Sequence, residues 1–201
     1  MRLLVVATHN QGKLKEYQKL LAGLPVECKS LADIGIHEEP QEEHVGFADN
    51  ARLKALFFAR YTGRLALADD SGLEVDALGG DPGVRSARYS GAGRSDRERY
   101  ELLLARLSEI PPEARTARFR CAIAVAGPDG VLFNVEGVCE GVIAMRPRGS
   151  HGFGYDPVFY MPARGCTMAE LEPAVKNRVS HRARAAHAAL PLLEAYLRRE
   201  G

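Results

Sequence analysis

The sequence has no tryptophan and only four cysteines, and no apolar run approaches the roughly 20 residues that a membrane-spanning helix needs. Cys28, Cys121, Cys139 and Cys166 lie far apart and form no Cys-x-x-Cys pair, so zinc and dithiol redox sites are poor hypotheses. We expect reduced structural thiols. A disulfide between Cys121 and Cys139 is the alternative, because these two cysteines could face each other on paired strands.

An excess of charge of either sign is also missing. Charged residues make up 26% of the chain, yet the formal net charge is +1, so the chain lacks the basic field that holds nucleic acid by counterion release. The first apolar run stops at Thr8, which favours a buried strand over a signal peptide. The sequence therefore predicts a cytoplasmic protein that binds neither nucleic acid nor membrane. A hydrophobic content of 46% is enough for one domain over residues 1–201.

The first half of the chain predicts alternating strands and helices. A strand over residues 2–8 precedes a helix that Asn10 caps. A second helix is expected from Phe47 to Tyr61, with its apolar face on Leu53, Leu56 and Phe57, and it ends at Gly63. A short strand over residues 65–68 then enters an Asp-Asp-Ser-Gly turn, and a further strand covers residues 73–75.

The second half adds an antiparallel portion. Ser95 and Glu98 have the spacing of a capping box and predict a third helix. Strands over residues 116–126 and 131–138 flank a Gly-Pro-Asp-Gly turn and predict a hairpin, with a third strand over residues 141–145. A last helix begins after Ser180 and kinks or breaks at Pro191. Together these elements predict a mixed α/β fold.

Polar residues follow the first strand and open the first helix. The segment is Thr8, His9, Asn10, Gln11, Gly12 and Lys13. Amides at a helix start and the positive end of its dipole attract phosphate, and Lys13 adds charge. The glycine spacing of a P-loop is absent. An ordinary capped turn is the alternative interpretation.

Asp69 and Asp70 are adjacent carboxylates after an apolar strand. Holding both there without a cation or a hydrogen-bond donor is costly, and a metal ion relieves that cost. Since successive strand side chains face opposite ways, we expect only one of the two to enter a site. A plain Asp-Ser-Gly turn is the alternative. Magnesium needs further oxygen ligands, which an acidic run before the second helix can supply: Glu38, Glu39, Glu42 and Glu43.

A glycine-rich aromatic segment and a basic segment complete the candidate chemistry. Residues 149–157 place three glycines beside Phe153, Tyr155 and Asp156, a composition that suits a flat base. Residues 176–182 include Lys176, His181 and Arg182, which can hold phosphate or a base carbonyl. A core turn and a solvated basic turn are the respective alternatives.

Taken together, these segments resemble the inosine triphosphate pyrophosphatase family, also called Ham1-like, over almost the whole chain. The strongest matches are Ala68-Asp-Asp-Ser-Gly-Leu73, Pro82-Gly-Val-Arg-Ser-Ala-Arg-Tyr-Ser-Gly91, Gly152-Phe-Gly-Tyr-Asp-Pro-Val-Phe159 and Ser180-His-Arg182. The resemblance implies an elongated, curved mixed sheet with two lobes flanking a nucleotide cleft, and a homodimer. It also implies Mg²⁺-dependent cleavage of ITP, dITP and XTP to the monophosphate and pyrophosphate, which cleanses the nucleotide pool.

The resemblance also implies a role for each matching residue. Asp70 would be the catalytic carboxylate and, with Glu42, a magnesium ligand. Residues 8–13 would contact the triphosphate and Ser71 the substrate. The remaining substrate contacts would be Phe153, Gly154, Tyr155, Asp156, Lys176, His181 and Arg182.

Three positions depart from the family's pattern. His9 replaces a small residue, and Ala183 replaces the glycine that follows the His-Arg pair. The family's glutamate ligand commonly precedes a Thr-Phe pair, which is absent here. Counting back from Phe47 favours Glu42 as this ligand, with Glu39 second. Two rival functions stay open at this stage, a related enzyme for modified pyrimidine triphosphates and a nucleotide sensor without hydrolysis.

Overall fold

A computed structural model of the chain describes residues 2–38, 40 and 46–199. It divides the chain into two compact units. The first unit contains Met1–Asp70, Cys121–Gly137 and Arg182–Gly201, and the second contains Ser71–Arg120 and Val138–His181. The mixed α/β fold predicted from the sequence is confirmed.

The described residues form seven strands and five α-helices. The strands are β1 (Arg2–Val6), β2 (Val26–Ser30), β3 (Leu65–Val75), β4 (Thr116–Gly127), β5 (Gly130–Ile143), β6 (Phe159–Met161) and β7 (Cys166–Thr167). The helices are α1 (Gln11–Leu20), α2 (Phe47–Thr62), α3 (Asp96–Arg106), α4 (Pro173–Val179) and α5 (His181–Arg199). No helix in the described part of the chain is long and apolar enough to cross a membrane.

The strands form one sheet in the order β2-β1-β3-β4-β5-β6-β7. In the first unit β1 pairs in parallel with β2 and with β3, and Val6 lies opposite Leu67. Since parallel strands present their carboxyl ends at the same edge, this register brings the residues after β1 and the aspartates of β3 to one edge of the first unit. In the second unit β6 pairs antiparallel with β5 and β7.

Each unit has its own apolar core. In the first unit, Leu4 and Leu67 of the sheet pack with Tyr17 of α1 and Leu193 of α5. In the second unit, Leu73 of β3 packs with Leu103 of α3, Phe159 and Tyr155. The cysteines Cys28, Cys121, Cys139 and Cys166 are all free, as the thiol prediction required.

The Asp-Asp-Ser-Gly turn predicted between two short strands is wrong. Residues Leu65–Val75 form one continuous strand of 11 residues that is buried over most of its length. Aspartate, serine and glycine favour turns, but here apolar residues on both sides extend the strand through them, and the cations described below balance the carboxylates.

Two smaller predictions also need correction. Residues 141–143 are the end of β5 and form no separate strand. Helix α5 continues through Pro191 without a break. Pro191 and His187 are exposed, so water can satisfy the carbonyl that loses its helical donor.

The buried face of α2 is not the predicted one. Its buried residues are Phe47, Asn50, Ala51, Ala55, Phe58 and Ala59, whereas Phe57 is 38% exposed. Both stripes have helical spacing, and the larger side chains of the outer one misled the prediction. The buried stripe includes a polar residue, Asn50, which belongs to the site described below.

Candidate active site

The two aspartates of β3 have different partners, as strand alternation predicts. Asp69 forms an ion pair with Lys13, whose Nζ lies 2.8 Å from Oδ2. Arg182 Nε lies 3.7 Å from the same oxygen. Asp70 accepts a hydrogen bond from Asn50 Nδ2 at 2.9 Å, and Lys54 Nζ lies 3.9 Å from its other oxygen. These contacts of the two carboxylates come from different side chains.

Asp69 belongs to a buried ionic network within the first unit. Arg182 also pairs with Glu16 of α1, and the Cys121 thiol lies 3.8 Å from the Asp69 carboxylate. Burial raises the pKa of Asp69, but the charges of Lys13, Arg182 and Lys54 outweigh it and hold that pKa well below its usual range. Asp69 is therefore ionised at neutral pH and holds Lys13 and Arg182 in place.

The same network has the opposite effect on its neighbours. Burial, helped by the negative charge of Asp69, raises the pKa of Cys121 to about 12. Burial likewise raises the pKa of Tyr17, whose hydroxyl lies 3.8 Å from the Cys121 sulfur. Burial disfavours the charged form of Arg182, but Glu16 and Asp69 outweigh it and raise the pKa of the guanidinium. The thiol and the phenol are therefore neutral parts of the packing, and the arginine stays charged.

Asp70 is 6% exposed and lies at the centre of a smaller cluster. Its hydrogen-bond donor Asn50 and the nearby ammonium group of Lys54 are one turn apart on α2, where residues four apart are neighbours. The sequence prediction missed both residues because it placed the buried face of α2 on another stripe. A polar pair at this spacing, inside the run of alanine and phenylalanine, was the available signal.

The segment predicted to bind phosphate, residues 8–13, forms hydrogen bonds within itself. Asn10 caps α1, and its side-chain oxygen accepts from the amides of Gly12 at 2.8 Å and Lys13 at 3.1 Å. Thr8 Oγ1 accepts from the amide of Asn10 at 3.1 Å. The cap thus has the predicted form, but it occupies amides expected to face a phosphate, while the Lys13 side chain extends to Asp69. His9, Gln11 and Gly12 lie in the same turn, and Gln11 is exposed.

The glycine-rich segment of the second unit is fixed by a buried ion pair. Asp156 Oδ2 accepts from Lys176 Nζ at 2.6 Å and from the amide of Phe153 at 2.9 Å. Lys176 Nζ also lies 4.8 Å from the centre of the Phe153 ring. A β-carbon on Gly152, whose φ is +79°, would overlap the Asp156 carboxylate, so only glycine fits there.

Tyr155 and His181, two of the predicted base contacts, are both buried and held by contacts within the second unit. The Tyr155 ring is buried, and its hydroxyl donates to the Ser86 carbonyl at 2.9 Å. Burial raises the pKa of Tyr155. His181 is also buried and stacks on Phe119 with ring centres 4.6 Å apart. Ser71 is half buried on β3, immediately after Asp70.

The predicted metal ligands are described only in part. Glu42, with Glu39 and Glu43, lies outside the described residues, and Glu38 is exposed and accepts from the amide of His37. Within residues 2–38, 40 and 46–199 no group of three metal-binding side chains is assembled. Asp70 nevertheless fits a hard cation, because its buried carboxylate offers the kind of oxygen ligand that Mg²⁺ prefers.

These features define a mixed α/β protein whose first unit concentrates cations and carboxylates where β1 ends beside Asp69 and Asp70 of β3. Residues 4–192 match the Ham1 family profile, and the chain belongs to the Ham1 family.

Proteins called dITP/XTP pyrophosphatase are similar to this chain. The one from Geobacillus kaustophilus is 52% identical over 185 residues, which cover 92% of this chain and 91% of that one. The one from Geobacter sulfurreducens is 50% identical over 201 residues, covering 100% and 99%.

Solved structures agree with the family and the fold. A HAM1 protein from Coxiella burnetii has a TM-score of 0.87 at 40% identity, covering 96% of this chain and 98% of that one. A nucleoside-triphosphatase, or dITP/XTP pyrophosphatase, from Mycobacterium abscessus has a TM-score of 0.76 at 46% identity, covering 94% and 99%.

Proposed function

We propose that this protein is a nucleoside-triphosphate pyrophosphatase that hydrolyses the non-standard purine nucleotides ITP, dITP and XTP to the monophosphate and pyrophosphate. The observation that carries the proposal is Asp70, a buried carboxylate between Asn50 and Lys54 beside the Lys13–Asp69–Arg182 network. Relatives named dITP/XTP pyrophosphatase, about 50% identical over nearly the whole chain, support the substrate class.

The first unit supplies the groups for phosphoryl chemistry. Lys13, Lys54 and Arg182 offset part of the negative charge of the triphosphate, and the turn over residues 8–13 contacts it. Ser71, the next residue of β3 after Asp70, belongs to the second unit and is also assigned to the substrate. Asp70 orients the attacking water and takes its proton as the water oxygen bonds to the α-phosphorus. Asn50 holds the Asp70 carboxylate in place, and pyrophosphate leaves with the electrons of the broken bond.

We assign Mg²⁺ as the cofactor, held by Asp70 and Glu42, whose carboxylate oxygens are the ligands that this ion prefers. When bound, the ion would supply positive charge at the phosphate oxygens. The assignment is tested without turnover by following the melting temperature during Mg²⁺ titration. The wild type should be stabilised with saturation, and Asp70→Asn and Glu42→Gln should need more Mg²⁺. If Glu39→Gln has the larger effect, the second ligand is Glu39.

The second unit supplies the groups that contact the base. Phe153, Gly154, Tyr155 and Asp156 form the segment, but the amides of Phe153 and Gly154 already donate to Asp156 and Asp96. We therefore favour side-chain donors of this unit, namely Lys176 and His181, for the carbonyl at position six of hypoxanthine and xanthine. Adenine has an amine there and would leave the donor unsatisfied, at a cost of about 1–3 kcal/mol.

The wider setting is also a proposal. We assign one functional domain, 1–201, acting in the cytoplasm, where free cysteines such as those described here persist. A homodimer is supported by a stacked pair on the outer face of α2, Phe57 and Tyr61, which are 38% and 55% exposed.

The test is a comparison of initial rates and products for the triphosphates of inosine, deoxyinosine, xanthosine, adenosine, guanosine, uridine and thymidine with Mg²⁺. Non-standard purines should lead adenosine by at least about tenfold and release pyrophosphate. A preference for uridine or thymidine would favour the pyrimidine enzyme, binding without turnover would favour the sensor, and orthophosphate release would exclude the proposed bond. Excess chelator should abolish activity, and full activity in its presence would exclude Mg²⁺.

A further inference from the structure

The base segment of the second unit is held by a residue that lies far from it in sequence. Asp96, the first residue of α3, accepts a hydrogen bond from the amide of Gly154 through Oδ2 at 2.7 Å. Its other carboxylate oxygen accepts from Arg99, one turn further along the helix. The carboxylate is thus fixed at one oxygen by its own helix and directed at the segment with the other.

Asp96 acts beside two other restraints on the same segment. Asp156 accepts from the amide of Phe153, and Tyr155 donates to the carbonyl of Ser86. Ser86 in turn accepts from the amide of Leu73 on β3 at 2.8 Å. The amides of Phe153 and Gly154 therefore each donate to a carboxylate, a strong kind of hydrogen bond.

Gly154 itself explains why an outside restraint is useful. Its φ is +64°, and a β-carbon there would contact nothing within 4 Å. The left-handed backbone, rather than lack of space, accounts for the glycine, and glycine loses more conformational freedom on ordering than any other residue. A carboxylate that holds this amide removes part of that freedom before a ligand binds.

We propose that Asp96 is a positioning residue for base recognition, which fixes the Phe153–Asp156 segment through the Gly154 amide. The inference rests on the proposed function, because it assigns the base to this segment. A purely structural role is the competing explanation, since an acidic residue in the first turn stabilises a helix through its dipole. The two roles differ in which ligand they affect.

The test compares Asp96→Ala, Asp96→Asn and the control Glu101→Ala, which breaks an exposed ion pair with Arg97 on the same helix. Asp96→Ala should raise KM for ITP about tenfold with little change in kcat, because an ordered segment becomes mobile. Asp96→Asn keeps an acceptor oxygen and should recover most of the affinity. Inhibition by inorganic tripolyphosphate, which has no base, should change less than about twofold in any variant.

Hydrogen exchange of the Gly154 amide gives a readout that needs no nucleotide. This amide should be protected in the wild type and in Asp96→Asn, and should exchange about tenfold faster in Asp96→Ala. An unprotected Gly154 amide in the wild type would overturn the inference even if the alanine variant failed to fold. The inference would also be overturned if Asp96→Ala changed KM for ITP no more than Glu101→Ala does, or if it weakened tripolyphosphate binding as much as it weakened ITP binding. A wild type that hydrolyses no purine triphosphate would overturn the proposed function as well.

Discussion

Replacing Asp69 by asparagine should destabilise the first unit while leaving the candidate catalytic carboxylate in place. The change keeps the size of the side chain but removes the charge that Lys13 and Arg182 face. Removing one partner of a buried pair costs roughly 3–5 kcal/mol. Lys13 keeps 17% of its side chain exposed and Arg182 keeps Glu16, so we expect the lower end, about 3 kcal/mol. For a chain of this size, that corresponds to a fall in melting temperature of roughly 6–12 °C.

The pH dependence of this loss has a definite sign. The folded pKa of Asp69 is lowered, so its contribution to stability is complete above the unfolded value of about 4 and is lost as the pH falls toward the folded value. The asparagine variant has no such titration. The stability difference between the two proteins should therefore be constant from about pH 5 to pH 8, and about 1 kcal/mol smaller at pH 3.

The assay is urea unfolding followed by circular dichroism at pH 7 and at pH 3, with Asp70→Asn as the matched control. Asp70 accepts a hydrogen bond from the neutral Asn50 amide, and its contact with Lys54 is longer than that of Asp69 with Lys13, so the loss of its charge should cost about 1 kcal/mol. If Asp69→Asn is no less stable than this control, or if the difference does not narrow at low pH, the assignment of Asp69 to a stabilising network is wrong.

Three other changes test the remaining parts of the site. Asp70→Asn should lower kcat at least about a hundredfold while nucleotide still binds, because it removes the proton acceptor; near-normal turnover would refute that role. Gly152→Ala should raise KM for ITP far more than Gly154→Ala, since only the first β-carbon overlaps Asp156, and similar KM values would contradict the packing. Iodoacetamide at pH 8, followed by mass spectrometry, should label half-buried Cys166 and spare buried Cys121, whose pKa is raised to about 12; equal labelling would contradict that burial.

The elements with local signals could be predicted from the sequence. The Asn10 cap and the Ser95–Glu98 capping box place the starts of α1 and α3 where the structure has them. Gly63 ends α2 in a left-handed conformation, which glycine adopts without strain. Such signals act over a few residues, so no knowledge of the fold was needed. Short elements such as β2, β6, β7 and α4 carry no comparable signal and were not predicted.

The sequence predicted which segments belong to the site but not the contacts between their residues. Lys176 and Asp156 were both named, yet their ion pair joins positions 20 residues apart and depends on tertiary structure. Asn50 and Lys54 were missed because the buried face of α2 was placed on another stripe, and Asp96 was missed because nothing local marks it as functional. Their roles follow only once β3 is one strand and α2 packs its alanine face inward.

Charge balance gives an independent reason to expect a cation at Asp70. In the described part of the first unit, Lys13, Lys54 and Arg182 face three carboxylates, those of Glu16, Asp69 and Asp70. Before substrate binds, these groups neutralise one another, and the low pKa of Asp69 keeps its charge in place. A triphosphate brings several more negative charges into surroundings where unpaired charge is costly. Because each of these cations also faces a carboxylate, they can offset only part of the added charge. We therefore expect a further cation to arrive with the substrate, and a divalent ion on the Asp70 oxygens is the simplest one.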